Sequence, residues 1–156
     1  MVALIGGESL FQMLQLHATC VAWKGIGVLL RGRPGSGKSD LALRLIESGA
    51  RLVADDRCDL VRMGSRLLVS APAAIKGLIE ARGVGIVRCP ALPRAPLGLV
   101  VDLVPRRRME RLPEPASFAA LGIAVPLIRL APFEASAAAK LRLAVENLHQ
   151  GIIGRP

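Results

Sequence analysis

A run of eight residues between positions 32 and 39 has the types and spacing of a phosphate-binding loop. It satisfies the pattern G-x-x-x-x-G-K-S and reads Gly32, Arg33, Pro34, Gly35, Ser36, Gly37, Lys38, Ser39. In such a loop backbone N–H groups surround the phosphates, the lysine neutralises their outer oxygens, and the serine hydroxyl ligates magnesium. The bare pattern arises by chance in roughly one chain in a few hundred of this length, so a glycine turn that binds nothing is the alternative. The loop predicts a site for ATP and Mg²⁺.

Two adjacent carboxylates further along the chain could act on the bound phosphate. Asp55 and Asp56 follow a short predicted strand at residues 51–54. Because successive strand side chains point to opposite faces, we expect one of the pair to face the γ-phosphate, unless the backbone bends there. The alternative is a turn cap or a surface ion pair with Arg51 or Arg57.

A third acidic residue stands beside two glycines. Glu80 precedes Arg82-Gly83-Val84-Gly85, where the glycines would let the backbone approach a ligand closely. Residues 73–81 are predicted to be helical, so a solvated glutamate at a helix end is the alternative. Glu80 becomes a candidate site residue only beside the phosphate loop.

The segments around the loop have the order that a phosphate site of this kind requires. Two strand-like runs at residues 19–23 and 26–30 are separated by Lys24-Gly25, which favours a tight hairpin turn. The second run enters the glycine loop, and residues 40–48 continue with one apolar helical face. Gly49 follows where a helix commonly ends in left-handed backbone.

The remaining patterns predict a mixed α/β domain. Hairpin-like strands flank the loop where a purely parallel sheet would need helical crossovers. The further predicted elements are strands at 58–63, 66–70, 97–104 and 123–130, a charged loop at 106–115 and a helix at 136–149.

The composition predicts one globular domain over residues 1–156, since 52% of the residues are hydrophobic. No stretch approaches the ~18 apolar residues of a membrane span and no signal peptide is recognisable, so we expect the cytoplasm. The net charge of +9 suits nucleic acid, an acidic protein partner or Arg-rich codon usage. With 3% aromatic residues and no Tyr, few stacking platforms exist, which disfavours nucleic acid.

These features together resemble the C-terminal catalytic domain of bacterial HPr kinase/phosphorylase. The resemblance runs from about His17 to Leu148 and rests on ordered features: His17 in the strand before the loop, the loop at 32–39, the acidic segment 51–56, and residues 79–86. The last segment contains Glu-x-Arg-Gly-x-Gly, which looks like the hallmark stretch of that family.

The resemblance implies roles for individual residues. Lys38 would hold phosphate, and Ser39 and Glu80 would ligate magnesium. Asp56 would accept the seryl proton of the protein substrate in the kinase direction and return it in phosphorolysis, with Asp55 as its partner in the pair.

The resemblance also implies contributions from His17 and from a catalytic arginine. Arg111, in Glu110-Arg111-Leu112, looks like that arginine, although Arg106, Arg107 and Arg108 are near competitors.

The implied fold, partners and assembly follow the same family. The core would be of the kind shared with the nucleotide-binding domains of phosphoenolpyruvate carboxykinase, the substrate would be HPr or its nitrogen-pathway relative, and the assembly a homohexamer. Alternatives are a small-molecule kinase on the same loop and a non-enzymatic, nucleotide-dependent interaction module.

Two departures from the family pattern affect these expectations. Residues 1–16 are an N-terminal extension where family members usually carry a separate domain, so the chain resembles the short form found in some proteobacteria. Residues 131–136 replace an Arg- and Gly-containing turn linked to dephosphorylation and retain little beyond Pro132. Kinase activity is therefore expected more firmly than phosphorylase activity.

Overall fold

The computed structural model describes residues 2–4 and 12–150, in which twelve β-strands and two α-helices are present. The strands are β1 (Val2–Leu4), β2 (Gln12–Leu16), β3 (Thr19–Trp23), β4 (Ile26–Arg31), β5 (Arg51–Ala54), β6 (Cys58–Met63), β7 (Arg66–Ser70), β8 (Leu78–Ala81), β9 (Gly85–Arg88), β10 (Arg94–Leu103), β11 (Ala116–Ala120) and β12 (Ile123–Leu130). The helices are α1 (Lys38–Glu47) and α2 (Ala137–Glu146).

Ten of these strands form one mixed sheet. Its order is β1-β2-β6-β7-β10-β4-β3-β5, and β12 adds to β10 and carries β11. The pairs of β10 with β4 and with β12 are parallel, whereas the other pairs are antiparallel. The predicted mixed α/β fold is confirmed. Strands β8 and β9 form a separate hairpin.

Strand β10 connects the two parts of this sheet. Its first residues pair with β7, and its later residues pair with β4 and β12. The register with β4 shifts between Leu97 and Leu99, so these two side chains enter different cores. Gly98 lies at the shift, and a Cβ there would collide with the Cγ2 methyl of Ile26. A side chain at this position would separate the two central strands.

The sheet has a core on each face. Along β4, Val28 and Leu30 point toward the helices and Leu29 points to the opposite core. The helix-side core also contains Leu41 of α1 and Leu141 of α2, each at most 1% exposed. Burial of each such leucine contributes about 2 kcal/mol. Because its side chains alternate between the two cores, β4 is packed on both faces before the chain enters the phosphate loop.

Helix α1 agrees with its sequence signals. It follows Gly37 and ends at Glu47, with Ser48 as its C-cap, and Gly49 then has a φ of 112°. The N–H groups of Gly49 and Ala50 donate to the carbonyls of Ile46 and Leu45, which completes the helix end in the way that left-handed glycine allows. The predicted hairpin of β3 and β4 is confirmed, with Lys24 and Gly25 at positive φ.

The predicted helix at residues 73–81 is wrong. Ala73–Ile75 forms a single 3-10 turn, Gly77 adopts a φ of 72°, and the chain continues as strand β8. Buried Ile79 alternates with less buried neighbours, which is the period of a strand rather than of a helix. Alanine-rich composition suggested the helix, and the glycine ends it.

Four strands were not predicted from the sequence, besides β8, which was predicted as a helix. They are β1, β2, β9 and β11. Strand β2 lies within residues 1–16, which we interpreted as an extension, and it pairs with β6 at the side of the sheet. Within residues 2–4 and 12–150, no helix is long and apolar enough to cross a membrane.

Two of the three cysteines are buried in the core. Cys20 and Cys58 are fully buried, whereas Cys89 is partly exposed. Burial raises the pKa of Cys20 to about 12 and raises that of Cys58 well above its ordinary value. Neither buried thiol is suited to act as a nucleophile at neutral pH.

Candidate active site

The glycine loop connects β4 to α1 at the carboxyl end of the parallel strands. Gly35 and Gly37 have φ values of 79° and 101°, which L-residues rarely adopt. A Cβ at Gly32 would collide with the side chain of Ser36. The loop glycines are therefore required by backbone geometry and by close contacts within the protein.

Lys38 lies across this loop. Its Nζ donates to the carbonyl oxygens of Gly32 at 2.7 Å and Arg33 at 3.1 Å. A half-buried ammonium is thus held at the loop, where it can exchange these carbonyls for phosphate oxygens.

Asp55 joins the phosphate loop to two other elements. Its Oδ1 accepts hydrogen bonds from Ser39 Oγ at 2.8 Å and Thr19 Oγ1 at 3.0 Å, and its Oδ2 accepts one from the Glu80 N–H at 3.0 Å. The residue is only 7% exposed, so these three donors compensate the burial of its charge. Since Ser39 donates its hydroxyl proton to Asp55, its oxygen lone pairs remain available to a cation.

Asp56 has the opposite environment. It is exposed and adopts a φ of 69° immediately after β5. Its N–H donates to Thr19 Oγ1 at 3.3 Å, and its carbonyl accepts the N–H of Ala18 at 3.2 Å. The backbone bend that the sequence left open therefore occurs, and it turns the two carboxylates toward different surroundings.

His17 reaches the site through this pairing. It precedes Ala18, whose N–H donates to the Asp56 carbonyl, and it is exposed, but it lies in a bend between β2 and β3 and not in a strand as predicted. Strand β2 ends at Leu16, since the chain must turn to enter β3.

The hairpin of β8 and β9 borders the loop on another side. Glu80 is exposed while its N–H contacts Asp55, and an Arg82 guanidinium nitrogen lies 4.0 Å from the Cβ position at Gly35. In the sequence Arg82 stands out only as part of a motif, and Thr19 does not stand out at all. A buried threonine is recognisable as a site residue only once its two aspartate partners are known.

The structure separates the candidate arginines between two cavities. A crevice of about 950 Å³, here called the P-loop crevice, is bounded by residues 31–36, 102–108 and 131–134. A second cavity of about 950 Å³, here called the α2 groove, is lined by Arg111 together with Met109, Ile128 and Leu143. Residues 106–108 form a 3-10 turn at the end of β10, while the following residues lead away toward β11. Arg107 and Arg108 thus border the P-loop crevice, Arg106 borders both cavities, and Arg111 lines the α2 groove.

Asp102 is a further carboxylate that the sequence reading overlooked. It interrupts the apolar run near the end of β10, and both of its oxygens accept hydrogen bonds from Arg31, at 2.8 and 3.0 Å. The Arg31 guanidinium also lies 4.7 Å from the centre of the Phe118 ring. This bidentate pair fixes the last residue of β4, from which the phosphate loop starts.

The residues present fit a magnesium–nucleotide complex. Within the described ranges, no three His, Cys, Asp or Glu side chains come together as a metal site. Magnesium commonly keeps several waters and takes one or two protein carboxylates together with substrate phosphates. Glu80 could supply such a carboxylate, and the Ser39 hydroxyl could be a further ligand. Ser36 Oγ is buried without a hydrogen-bond partner in the described part of the chain, which leaves it available to a ligand of the loop.

A mixed sheet whose central strand β4 leads through a glycine-rich loop into α1 defines the chain as an α/β protein. The chain belongs to the family described as HPr Serine kinase C-terminal domain, which matches residues 8–131.

Similar proteins carry related names. The chain is 44% identical over 85 residues to an HPr kinase/phosphorylase of Clostridium tetani, covering 54% of this chain and 28% of that protein. It is 39% identical over 108 residues to one of Lactobacillus acidophilus, covering 62% and 34%. The chain thus spans about a third or less of the length of these relatives. A solved structure titled as the Hpr(Ser) kinase/phosphatase from Coxiella burnetii matches with a TM-score of 0.79 and 28% identity, over 88% of this chain and 97% of that one.

Proposed function

We propose that this chain is an ATP- and magnesium-dependent protein-serine kinase that phosphorylates HPr or an HPr-like phosphocarrier. The observation that carries the proposal is the Asp55 carboxylate, which hydrogen-bonds the phosphate-loop serine, the Thr19 hydroxyl that holds Asp56, and the backbone of Glu80. Membership of the HPr serine kinase C-terminal family and the names of the relatives support the substrate class.

Phosphate binding would fall to the loop. Lys38 would turn from the carbonyls of Gly32 and Arg33 to the outer phosphate oxygens, and the loop N–H groups would surround the inner ones. Bound magnesium, held by Ser39 and Glu80, would neutralise the charge on the phosphates. Asp55 is a positioning residue in this scheme, because it orients Ser39.

Asp56 would act as the general base. A seryl hydroxyl of the partner would lose its proton to Asp56 while its oxygen forms a bond to the γ-phosphorus, and the bond between that phosphorus and ADP would break. The exposure of Asp56 permits contact with a protein substrate, whereas Asp55 is buried. His17 precedes Ala18, which hydrogen-bonds the Asp56 backbone, and it would contribute by orienting Asp56 or the incoming hydroxyl.

The arginines would divide between phosphate and partner. Arg82 lies next to the loop at Gly35, and Arg106, Arg107 and Arg108 line the P-loop crevice, so these residues are placed to offset charge on the transferred phosphoryl group. The role of Arg111, which rests on the family resemblance, would require movement out of the α2 groove. The net charge of +9 would steer an acidic partner.

The reverse reaction is expected to be weak. In the turn at 131–136, the carboxylate of Glu134 forms ion pairs with Lys140 at 2.9 Å and with Arg106 at 3.2 Å. These pairs neutralise Arg106, one of the cations that border the P-loop crevice, and so disfavour the binding of inorganic phosphate there. The cytoplasmic location, the homohexamer and the kinship of the core to phosphoenolpyruvate carboxykinase are further proposals that rest on the resemblance.

A phosphotransfer assay tests the proposal. Labelled ATP and magnesium would be supplied with HPr, with its nitrogen-pathway relative, or with small hydroxyl metabolites, and Lys38→Ala would serve as the inactive control. Label on a seryl residue of a phosphocarrier is expected, and adding phosphate to the labelled product should release little of it. Label on a metabolite would indicate a small-molecule kinase. Nucleotide binding without any transfer would indicate an interaction module.

A further inference from the structure

One aromatic side chain beside the phosphate loop has no role in the scheme above. Phe133 is 70% exposed although its neighbours Ala131 and Pro132 are buried. Its ring carbons lie 2.9 and 3.1 Å from the position that a Cβ would occupy at Gly37. The ring therefore contacts the phosphate loop at one edge and leaves most of its surface to solvent.

The backbone under this ring is held firmly. The Arg44 guanidinium of α1 donates to the carbonyls of Pro132 and Glu134. The Glu134 side chain is fixed by Lys140 of α2 and by Arg106. Residues 131–134 are thus attached to both helices, so the exposure of Phe133 is not the exposure of a loose loop.

The ring lies at the crevice beside the phosphate loop. Phe133 borders the P-loop crevice together with Arg106, Arg107 and Arg108. Among the described aromatic residues, Phe118 packs on Arg31, and Trp23 donates to Glu146 and packs on Arg142. Phe133 is the aromatic residue of the described chain that stands at the phosphate loop with an open face.

We propose that Phe133 is the stacking platform for the base of the bound nucleotide. An aromatic ring accepts any base because every base has a π-face, so the contact would favour nucleotides over phosphate-only ligands without choosing strongly among bases. The inference rests on the proposed nucleotide-dependent function and adds the residue that holds the base.

The experiment compares two ligands that share the phosphates and differ in the base. Calorimetric titrations of wild type, Phe133→Ala and Phe133→Trp would use ATP and tripolyphosphate, each with magnesium. Met63→Ala serves as the matched control, since Met63 is a 55% exposed apolar side chain at the end of β6. Loss of one base–aromatic stack should weaken ATP binding by roughly tenfold.

The expected pattern is specific. Phe133→Ala should lose ATP affinity and keep its tripolyphosphate affinity, Phe133→Trp should retain both, and Met63→Ala should change neither. Equal losses for the two ligands would overturn the inference, because the ring would then act by shaping the loop at Gly37. Unchanged ATP affinity would also overturn it, and a changed oligomeric mass of Phe133→Ala in that case would assign the ring to contact between subunits.

Failure of the inference is distinguishable from failure of the proposed function. Wild-type protein that binds neither ligand would overturn both. Wild-type protein that binds both ligands but is insensitive to Phe133→Ala would remove the stacking role alone. Selective loss of ATP binding in a protein that phosphorylates no phosphocarrier would support the platform and reject the kinase.

Discussion

Asp55 and Asp56 are adjacent in sequence and have opposite environments. One is buried under three donors, while the other is exposed on left-handed backbone. Their substitutions should therefore differ in kind, one changing chemistry and the other changing stability and metal binding.

Asp56→Asn should abolish seryl phosphorylation with the fold intact. Asn adopts positive φ readily, so a φ of 69° is tolerated, but the amide cannot accept the proton. We expect turnover to fall by about 10²–10⁴-fold, with ATP affinity and thermal midpoint near those of wild type. Steady-state kinetics with the phosphocarrier, calorimetry and thermal unfolding measure the three quantities. Near-normal turnover would remove the general-base role.

Asp55→Asn should lose stability as well as activity. The hydroxyls of Ser39 and Thr19 can rotate, but the Glu80 N–H cannot, so an amide nitrogen placed opposite it would leave two donors facing each other. The orientation that spares this contact turns the amide nitrogen toward the two hydroxyl donors. We expect a loss of about 1–3 kcal/mol in the free energy of unfolding, measured by urea denaturation, and weaker magnesium binding. If stability is unchanged, the hydrogen-bond network does not hold the site together.

At this scale the sequence predicted the acidic pair and left its geometry open. Strand alternation indicated that the two side chains diverge, but the actual cause is that β5 ends at Ala54 and Asp56 turns left-handed. Thr19 could not be foreseen, because its role depends on a pairing of β3 with β5 between residues 36 positions apart.

Helix α2 is attached at its end to the turn of the β3–β4 hairpin. Glu146 accepts hydrogen bonds from Lys24 Nζ at 3.0 Å and from Trp23 Nε1 at 3.2 Å. The hydrogen bond from Lys24, followed by that from Trp23, holds the pKa of Glu146 below its ordinary value of 4.5. A carboxyl whose pKa is lower in the folded state stabilises the fold above its unfolded pKa, and this contribution disappears as the pH falls through the folded value.

Glu146→Gln should therefore lower the thermal midpoint at pH 7 by only about 1–2 °C, because an exposed pair contributes little. The difference from wild type should shrink as the pH falls below 4.5. Thermal scans between pH 3 and pH 7 provide the measurement, with Glu47→Gln on α1 as a control. If the difference in thermal midpoint between wild type and Glu146→Gln grew as the pH fell, the direction assigned to the pKa shift of Glu146 would be wrong.

The predicted helices and strands match the structure where local sequence signals and strand pairing favour the same conformation. The β3–β4 hairpin and α1 carry their own turn and end residues, Lys24-Gly25 and Gly49. The segment from Ala73 onward failed because alanine favours a helix, whereas burial of Ile79 against the helix-side core and pairing with β9 select a strand.

For the whole molecule, the shift at Gly98 allows β10 to serve two kinds of neighbour. Gly98→Ala should destabilise the protein by about 1–3 kcal/mol, because the added methyl meets Ile26 Cγ2 between the central strands. Combining it with Ile26→Leu, which removes the Cγ2 branch, should restore part of the loss. Urea denaturation of the two single variants and the double variant tests this as a cycle. If the effects of the two substitutions on the free energy of unfolding simply add, the strain does not arise from the contact between residues 98 and 26.

The sequence predicted that the sheet would be mixed, but it did not predict the order and pairing of its strands. Hairpin signals beside the phosphate loop predicted antiparallel neighbours, and the run in β10 predicted a buried strand. The sequence did not indicate that this strand would change partners halfway along, nor that Arg108 and Arg111 would line separate cavities. These outcomes depend on contacts between distant segments, which no local pattern records.

The hairpin of β8 and β9 stands apart from the main sheet, with Val84 77% and Ile86 70% exposed. A two-stranded hairpin is marginally stable by itself in water, and this one is attached chiefly through buried Ile79 and the bond from Glu80 to Asp55. Its amide protons should exchange with solvent deuterium through local opening, at a free-energy cost well below that of global unfolding. A cation shared by Ser39 and Glu80 would raise that cost, so deuterium uptake at residues 78–88 would report how much of the protein carries its metal–nucleotide complex.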